Sequence, residues 1–237
     1  MIVLPQLHAG MSEPFPPPGR ALSDPNGLLA FGGDLSTTRL LDAYRHGIFP
    51  WYNEGEPILW WSPDPRCVFL TDAPHVSRRT RRTLAASGWT VTVDHAFDRV
   101  IRGCAGKRAK EHGTWISPAM MQAYEALHQR GDAHSVEVWD GIALVGGIYG
   151  IAIGKLFCGE SMFSAASGGS KAAFIALCAL LAERGYPLLD AQVTNPHLVS
   201  LGAIEMPREA FLARVGALVS MDAAPGHWRD ATPSFLT

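Results

Sequence analysis

The chain has 237 residues, 47% apolar and 18% charged, with a formal net charge of −2; one or two folded domains of that size bury a core without covalent staples. Four cysteines (Cys67, Cys104, Cys158, Cys178) lie far apart, with no C-x-x-C pair and no closely spaced histidine partner, which argues against zinc modules and disulfide scaffolds. No basic-then-apolar leader opens the sequence and no apolar run approaches the ~20 residues of a membrane span, so a cytoplasmic protein with no membrane partner is expected.

In chain order, a stiff Pro-Phe-Pro-Pro-Pro lead-in (14–18) precedes a turn-rich stretch at 27–34. A helix is expected from near Ser36, carrying Leu40, Leu41 and Tyr44 on one face and stopping at Gly47. Prolines then confine the tryptophans of 49–52 and 60–66 to loops or short edge strands. A boundary near residue 65 divides a small N-terminal domain (1–65) from a larger one (66–237). Beyond it, 75–86 reads as a basic helix, 90–93 as a strand and 96–104 as a helix. Ser117-Pro118 marks the start of another helix, which runs to about Gln129. Strands at 135–139 and 142–151, joined by Asp140-Gly141, form a hairpin that 156–163 extends into a meander. A helix over 170–184, a strand over 188–193 and helical stretches at 196–201 and 207–219 follow. A meander followed by a crossover helix and another strand points to a mixed sheet in an α/β or α+β fold.

Charge is unevenly spread. From Arg66 to Lys110, ten basic residues face three acids, a balance of +7 that leaves −9 for the rest of the chain. Arg78, Arg79, Arg81 and Arg82 are the densest part, and such a segment fits either a polyanion footprint or a solvated helix face.

Familiar catalytic motifs are absent. Gly159-Glu160-Ser161-Met162-Phe163 lacks the last glycine of a nucleophile elbow. Gly168-Gly169-Ser170-Lys171 lacks the order of a nucleotide P-loop, although it could present N–H groups to an anion. His134 and Glu137 have no matching cysteine doublet, so no metal is expected. What remains is Glu160, at the end of the meander, and Asp190 with Gln192 on the strand after the crossover helix. Alternation would turn Asp190 and Gln192 to one face, and Glu160 would meet them if the strands are neighbours. Acids in such apolar runs are either functional or satisfied by an arginine or by helix N–H groups.

Five strings, in order, resemble the bacterial leucyl/phenylalanyl-tRNA–protein transferases: Gly-Leu-Leu-Ala-Phe-Gly-Gly-Asp (27–34), Ala-Tyr-Arg-His-Gly-Ile-Phe-Pro-Trp (43–51), Leu-Trp-Trp-Ser-Pro-Asp-Pro-Arg (59–66), Gly-Glu-Ser-Met-Phe-Ser (159–164), and Leu-Asp-Ala-Gln (189–192) through Ser-Leu-Gly-Ala (200–203). The resemblance implies an α+β fold, a small N-terminal domain followed by a GNAT-like (acyl-CoA N-acyltransferase type) domain with a mixed sheet. It also implies transfer of Leu, Phe or less well Met from aminoacyl-tRNA to the N-terminal Arg or Lys of a protein, tagging it for degradation. A monomer without cofactors is expected. Because an aminoacyl ester is already activated, the enzyme mainly orients the amine, takes up a proton and stabilises the oxyanion. Asp190 is implied as base or amine-orienting carboxylate, Gln192 as holding the amine or carbonyl, and Glu160 as holding the acceptor's cation. Ile148, Phe157, Met162 and Leu177 would line the donor pocket, with Ile148 standing where the family commonly has Met. Trp51 and Trp115 would stack the terminal adenosine, a contact of ~1–3 kcal/mol per base, and Arg78, Arg79, Arg81 and Arg82 would follow the tRNA backbone. After Ser164 the chain has Ala-Ala-Ser-Gly-Gly where many relatives continue with Arg. An acyl-CoA-dependent acetyltransferase would usually carry an Arg/Gln-x-x-Gly-x-Gly/Ala turn, absent here, and a noncatalytic RNA-binding module has only the basic segment and the aromatics in its favour.

Overall fold

Prolines and glycines keep the strands of the first 61 residues short. In a computed structural model describing residues 4–109, 115–223 and 226–231, β1 (Gln6–Leu7), β2 (Leu28–Gly32), β3 (Phe49–Pro50) and β4 (Leu59–Trp61) form a sheet ordered β1-β2-β4-β3. The stretch at 27–34 is therefore mostly strand. Its apolar run pairs with the tryptophans of β4, and the Trp60 indole donates to the Gly32 carbonyl at 2.9 Å. Helix α1 (Thr37–Arg45) is capped by the Ser36 side chain and buries Leu40, Leu41 and Tyr44, as the periodicity requires.

The second sheet begins at β5 (Arg66–Leu70), which the sequence reading leaves unassigned. Next come α2 (Arg78–Ala85), β6 (Thr90–Val93), α3 (Phe97–Ala109) and α4 (Pro118–Arg130). Helix α2 starts three residues later than expected, because Ser77 caps it and the His75 N–H is taken by the Leu201 carbonyl. The meander is β7 (Ala133–Asp140), β8 (Ala143–Ile153) and β9 (Leu156–Ser164); α5 (Gly169–Glu183), β10 (Leu188–Gln192), α6 (Pro196–Ser200), β11 (Ile204–Met206) and α7 (Arg208–Val219) complete the chain. The strand order is β11-β5-β10-β9-β8-β7-β6, with only β9 and β10 parallel.

The fold is thus α+β, with two mixed sheets and seven helices among the described residues. One face of the large sheet packs with α1, α3 and the small sheet around Tyr44, Trp60, Tyr124 and Tyr149; the other packs under α5 around Phe157, Phe174 and Leu177. Glycine permits the closest approach of α5. A Cβ on Gly146 would stand 2.3 Å from the Gly169 carbonyl carbon, so the start of α5 can lie directly against β8. No described helix is long and apolar enough to cross a membrane.

Candidate active site

The site lies where the two parallel strands part. Pairing between β9 and β10 runs from Leu156↔Leu188 to Cys158↔Asp190 and stops there. At that level both strands slip register against their other neighbours. On β9, Tyr149 pairs with Ser161 but Gly150 with Gly159, leaving Glu160 as the extra residue; on β10, Asp190 pairs with Val68 but Gln192 with Cys67, leaving Ala191. Such bulges bend a strand and re-aim its side chains. Two at one level open a cleft between strands that would otherwise zip together.

The bulge separates Asp190 from Gln192, which alternation would have placed on one face. Gln192 adopts φ +63°, a left-handed conformation uncommon for a residue with a side chain. Its backbone N–H donates to Asp190 Oδ1 at 2.9 Å, so the carboxylate stabilises the turn. Asp190 itself is 1% exposed and faces away from the cleft. Arg66 grips it in a fork, Nε to Oδ1 and Nη2 to Oδ2, both 2.7 Å. Phe49 and Phe211 cover the guanidinium, with ring centroids 4.7 and 4.6 Å from its carbon. In this geometry Asp190 is a paired structural anion. It does not present a free carboxylate to a substrate.

Glu160 does line the cleft. Tyr44 donates to its Oε1 at 2.8 Å, Gln192 Nε2 to the same oxygen at 2.8 Å, and Tyr124 to Oε2 at 2.9 Å. The two phenol oxygens are themselves 2.6 Å apart. Three oxygen–oxygen contacts close a triangle, and the tyrosines bring only two protons to it. A proton on Glu160 would complete it, one phenol then accepting from the carboxyl and donating to the other phenol. Burial favours that proton, raising the Glu160 pKa from the ordinary carboxylate value to about 7 against the hydrogen bonds from Tyr44 and Tyr124, which lower it; no cation is bonded directly to the carboxylate. Tyr44 and Tyr124 escaped the sequence reading as site residues, since a tyrosine at helical spacing reads as core.

A cavity of about 650 Å³ extends from Glu160 and Gln192. Ile148 and Met162 line it as expected, joined by Phe69, Phe174, Leu189 and Leu198. Trp51, 46% exposed, and Trp115 also border it. Phe157 and Leu177 do not. Phe157 sits one pair before the strands part, opposite Leu189, with its ring beneath Gly150; Leu177 lies a full turn beyond Phe174 and stays in the core under the sheet. Lys171 and Ser170, at the start of α5, give the cavity a polar flank. On α2, Arg78, Arg81 and Arg82 are exposed, and no ion pair engages them among the described residues. The Arg79 side chain lies outside the described set.

Comparison with known proteins gives concordant results over nearly the whole chain. A family profile described as "Leucyl/phenylalanyl-tRNA protein transferase" matches residues 68–216, and its "N-terminal domain" profile matches residues 33–64. Relatives named leucyl/phenylalanyl-tRNA–protein transferase include one from Xanthomonas euvesicatoria, 60% identical over 94% of this chain and 89% of that one. Another, from Shewanella piezotolerans, is 54% identical over 91% and 92%. Among solved structures, L-PGS from Bacillus licheniformis aligns with a TM-score of 0.43 at 12% identity, covering 82% of this chain and 74% of that one, a likeness too weak to assign a fold family. By both profiles and by identity, the chain belongs to the leucyl/phenylalanyl-tRNA–protein transferase family.

Proposed function

We propose that the protein is an aminoacyltransferase that moves Leu or Phe, and less well Met, from aminoacyl-tRNA to the N-terminal Arg or Lys of an acceptor protein, marking it for degradation. The observation that carries this reading is the cleft itself. A buried carboxyl poised near neutrality stands at one end of an apolar cavity large enough for a Leu or Phe side chain, with two tryptophans at its border. The donor's side chain packs among Ile148, Met162 and Phe174, and its adenosine stacks on Trp51 and Trp115. Apolar pockets discriminate a methylene weakly, which suits a donor range of several apolar residues.

In the reaction the acceptor α-amine attacks the ester carbonyl carbon. The new C–N bond forms, the ester C–O bond breaks, and the amine's proton ends on the departing ribose oxygen. Glu160 mediates that transfer, since a carboxyl near 7 is close to an α-amine at roughly 7.7–8. Gln192 has a second amide hydrogen for the carbonyl oxygen. Asp190 acts through Gln192, by fixing its backbone, and the exposed arginines of α2 follow the tRNA backbone.

We further infer that the chain divides near residue 65 and that 66–237 is of GNAT type. The parallel β9–β10 pair, parting within an otherwise antiparallel sheet, supports that reading. A cytoplasmic monomer is part of the same reading. The deciding experiment is transfer of labelled Leu from leucyl-tRNA to an Arg-initiated peptide, with acetyl-CoA offered as a competing donor. Labelled peptide is expected from the tRNA alone; acetylation without aminoacylation would refute the assignment.

A further inference from the structure

At the β6 edge of the large sheet, a second group of chemistry-bearing side chains takes no part in the reaction. Asp94 follows β6 in a left-handed conformation (φ +60°) and is 1% exposed. His128 lies in the last turn of α4, and His227 on the C-terminal segment. One ligand atom from each of these three residues falls within 4.8 Å of the others. The sequence reading had no means to group them, because they come from positions 94, 128 and 227 with no local spacing.

We propose that Asp94, His128 and His227 form a binding site for a divalent transition-metal ion of the zinc class, which clips the C-terminal segment to the sheet. Two imidazoles and one carboxylate are the donor set of borderline cations, not of calcium or magnesium, which favour all-oxygen shells. Bonds of about 2.0–2.1 Å bring ligand atoms to roughly 3.3 Å from one another. The triad must therefore close by an ångström or so; His227 is its exposed member, with its ring edge-on to that of His128 at a centroid distance of 4.8 Å.

The surroundings are arranged as outer-shell partners of a metal site usually are. Asp94 Oδ1 accepts the Ser135 N–H at 2.9 Å, while Oδ2 accepts the Trp228 N–H at 2.7 Å and meets His134 Nδ1 at 2.8 Å. The His128 ring stacks on Phe97, with centroids 4.3 Å apart and planes at 8°, and its Nδ1 meets the Ala133 carbonyl at 2.8 Å. With Nδ1 protonated towards that carbonyl the neutral ring carries its lone pair on Nε2, while Nδ1 itself stands 3.9 Å from Asp94 Oδ1. Asp94 also fixes the chain that brings in the third ligand. Its own carbonyl accepts from Arg229 Nε at 3.1 Å, so His227 sits next to a stretch held at two points. Beside the triad a cavity of about 290 Å³, bordered by Asp98 and Glu125 but also by Arg102 and Arg229, gives water access to complete the shell. The clip matters because Trp228 stacks on His134 at 3.7 Å and packs against Tyr186 in the core under α5.

The test is titration of the metal-free, untagged full chain with Zn²⁺ by calorimetry, followed by visible spectroscopy with Co²⁺ in its place. We expect saturable one-to-one binding in the micromolar range or tighter, d–d bands typical of nitrogen and oxygen ligands, and a rise in Tm with zinc. His227→Ala should weaken binding about tenfold or more while leaving the metal-free Tm nearly unchanged, since the side chain is exposed; His128→Gln should also weaken it. No saturable binding in the micromolar range, or undiminished binding in both variants, would overturn the site. The readout is binding alone, so the outcome does not depend on the transferase activity.

Discussion

Asp190 and Glu160 occupy neighbouring strands of one sheet, 1% and 8% exposed, and their surroundings set them apart. Asp190 meets a guanidinium in a two-point grip and accepts the Gln192 backbone N–H of the turn. Glu160 meets two phenols and an amide, all neutral. Burial of an anion is costly in either place, but only the first site compensates it with a cation. The uncompensated acid is also the one that faces the cavity. Charge compensation, more than depth, separates the carboxylate held by a cation from the one whose pKa burial raises to about 7.

The sharpest way to break this contrast is Glu160→Gln. The amide keeps the shape and can still meet both phenols, but it cannot carry a proton to or from an amine. Turnover with leucyl-tRNA and an Arg-initiated peptide should fall about 10²–10⁴-fold, the usual contribution of a positioned acid–base group. A raised KM for the peptide with turnover intact would instead make Glu160 an anchor for the acceptor's cation. On the other side of the comparison, Arg66→Met strands a buried anion. It should cost about 3–5 kcal/mol in urea unfolding, and Asp190→Asn should lose both stability and turnover as Gln192 loosens. The double variant Arg66→Met/Asp190→Leu should recover much of the stability without the turnover. Recovery of turnover as well would remove Asp190 from any positioning role.

pH tests the Glu160 side of the contrast next. A carboxyl raised to about 7 in the folded chain from an ordinary 4.5 binds its proton more tightly when folded. Its stabilising contribution is therefore complete below about pH 4.5 and is lost as pH rises towards 7. Wild-type stability relative to Glu160→Gln should decline by on the order of 3 kcal/mol between pH 4.5 and 8. Urea midpoints across that range would expose it. A flat difference would mean that Glu160 is ionised throughout and that the tyrosine triangle is satisfied some other way.

Most of the frame of this site was legible in the sequence. The Asp140-Gly141 hairpin, the Ser117-Pro118 cap and the apolar period of α1 each depend on neighbours a few residues apart, and each appears where local chemistry puts it. Glu160, Asp190 and Gln192 stood out as polar residues inside apolar strands. Their facing could not be read, because strict alternation fails at a bulge, and the slips at Glu160 and Ala191 arise from how three strands meet. Arg66 is 124 residues from its partner, and Tyr44 and Tyr124 reach Glu160 across 116 and 36 residues. Such pairings belong to the tertiary structure. The same holds for β5, whose short apolar run after two prolines gains its identity as a strand only between β10 and β11.

The smallest expected effect extends the comparison from acids to cations. Arg66 is wholly buried and neutralised by Asp190, whereas Arg78, Arg81 and Arg82 are exposed with no ion pair among the described residues. If those of α2 follow the phosphate backbone, each adds a contact that carries little sequence information. Arg81→Ala/Arg82→Ala should then weaken different aminoacyl-tRNAs about equally and reduce the log–log salt slope by roughly one to two units. Stability should barely move, as expected for surface charges without partners. Transfer from a minimal aminoacyl-adenosine, which has no stem to contact, should keep its wild-type rate. A small donor impaired as badly as whole tRNA would mean that these arginines support the fold or the cleft, and the division between a neutralised cation inside and free cations outside would no longer describe how this chain uses its positive charge.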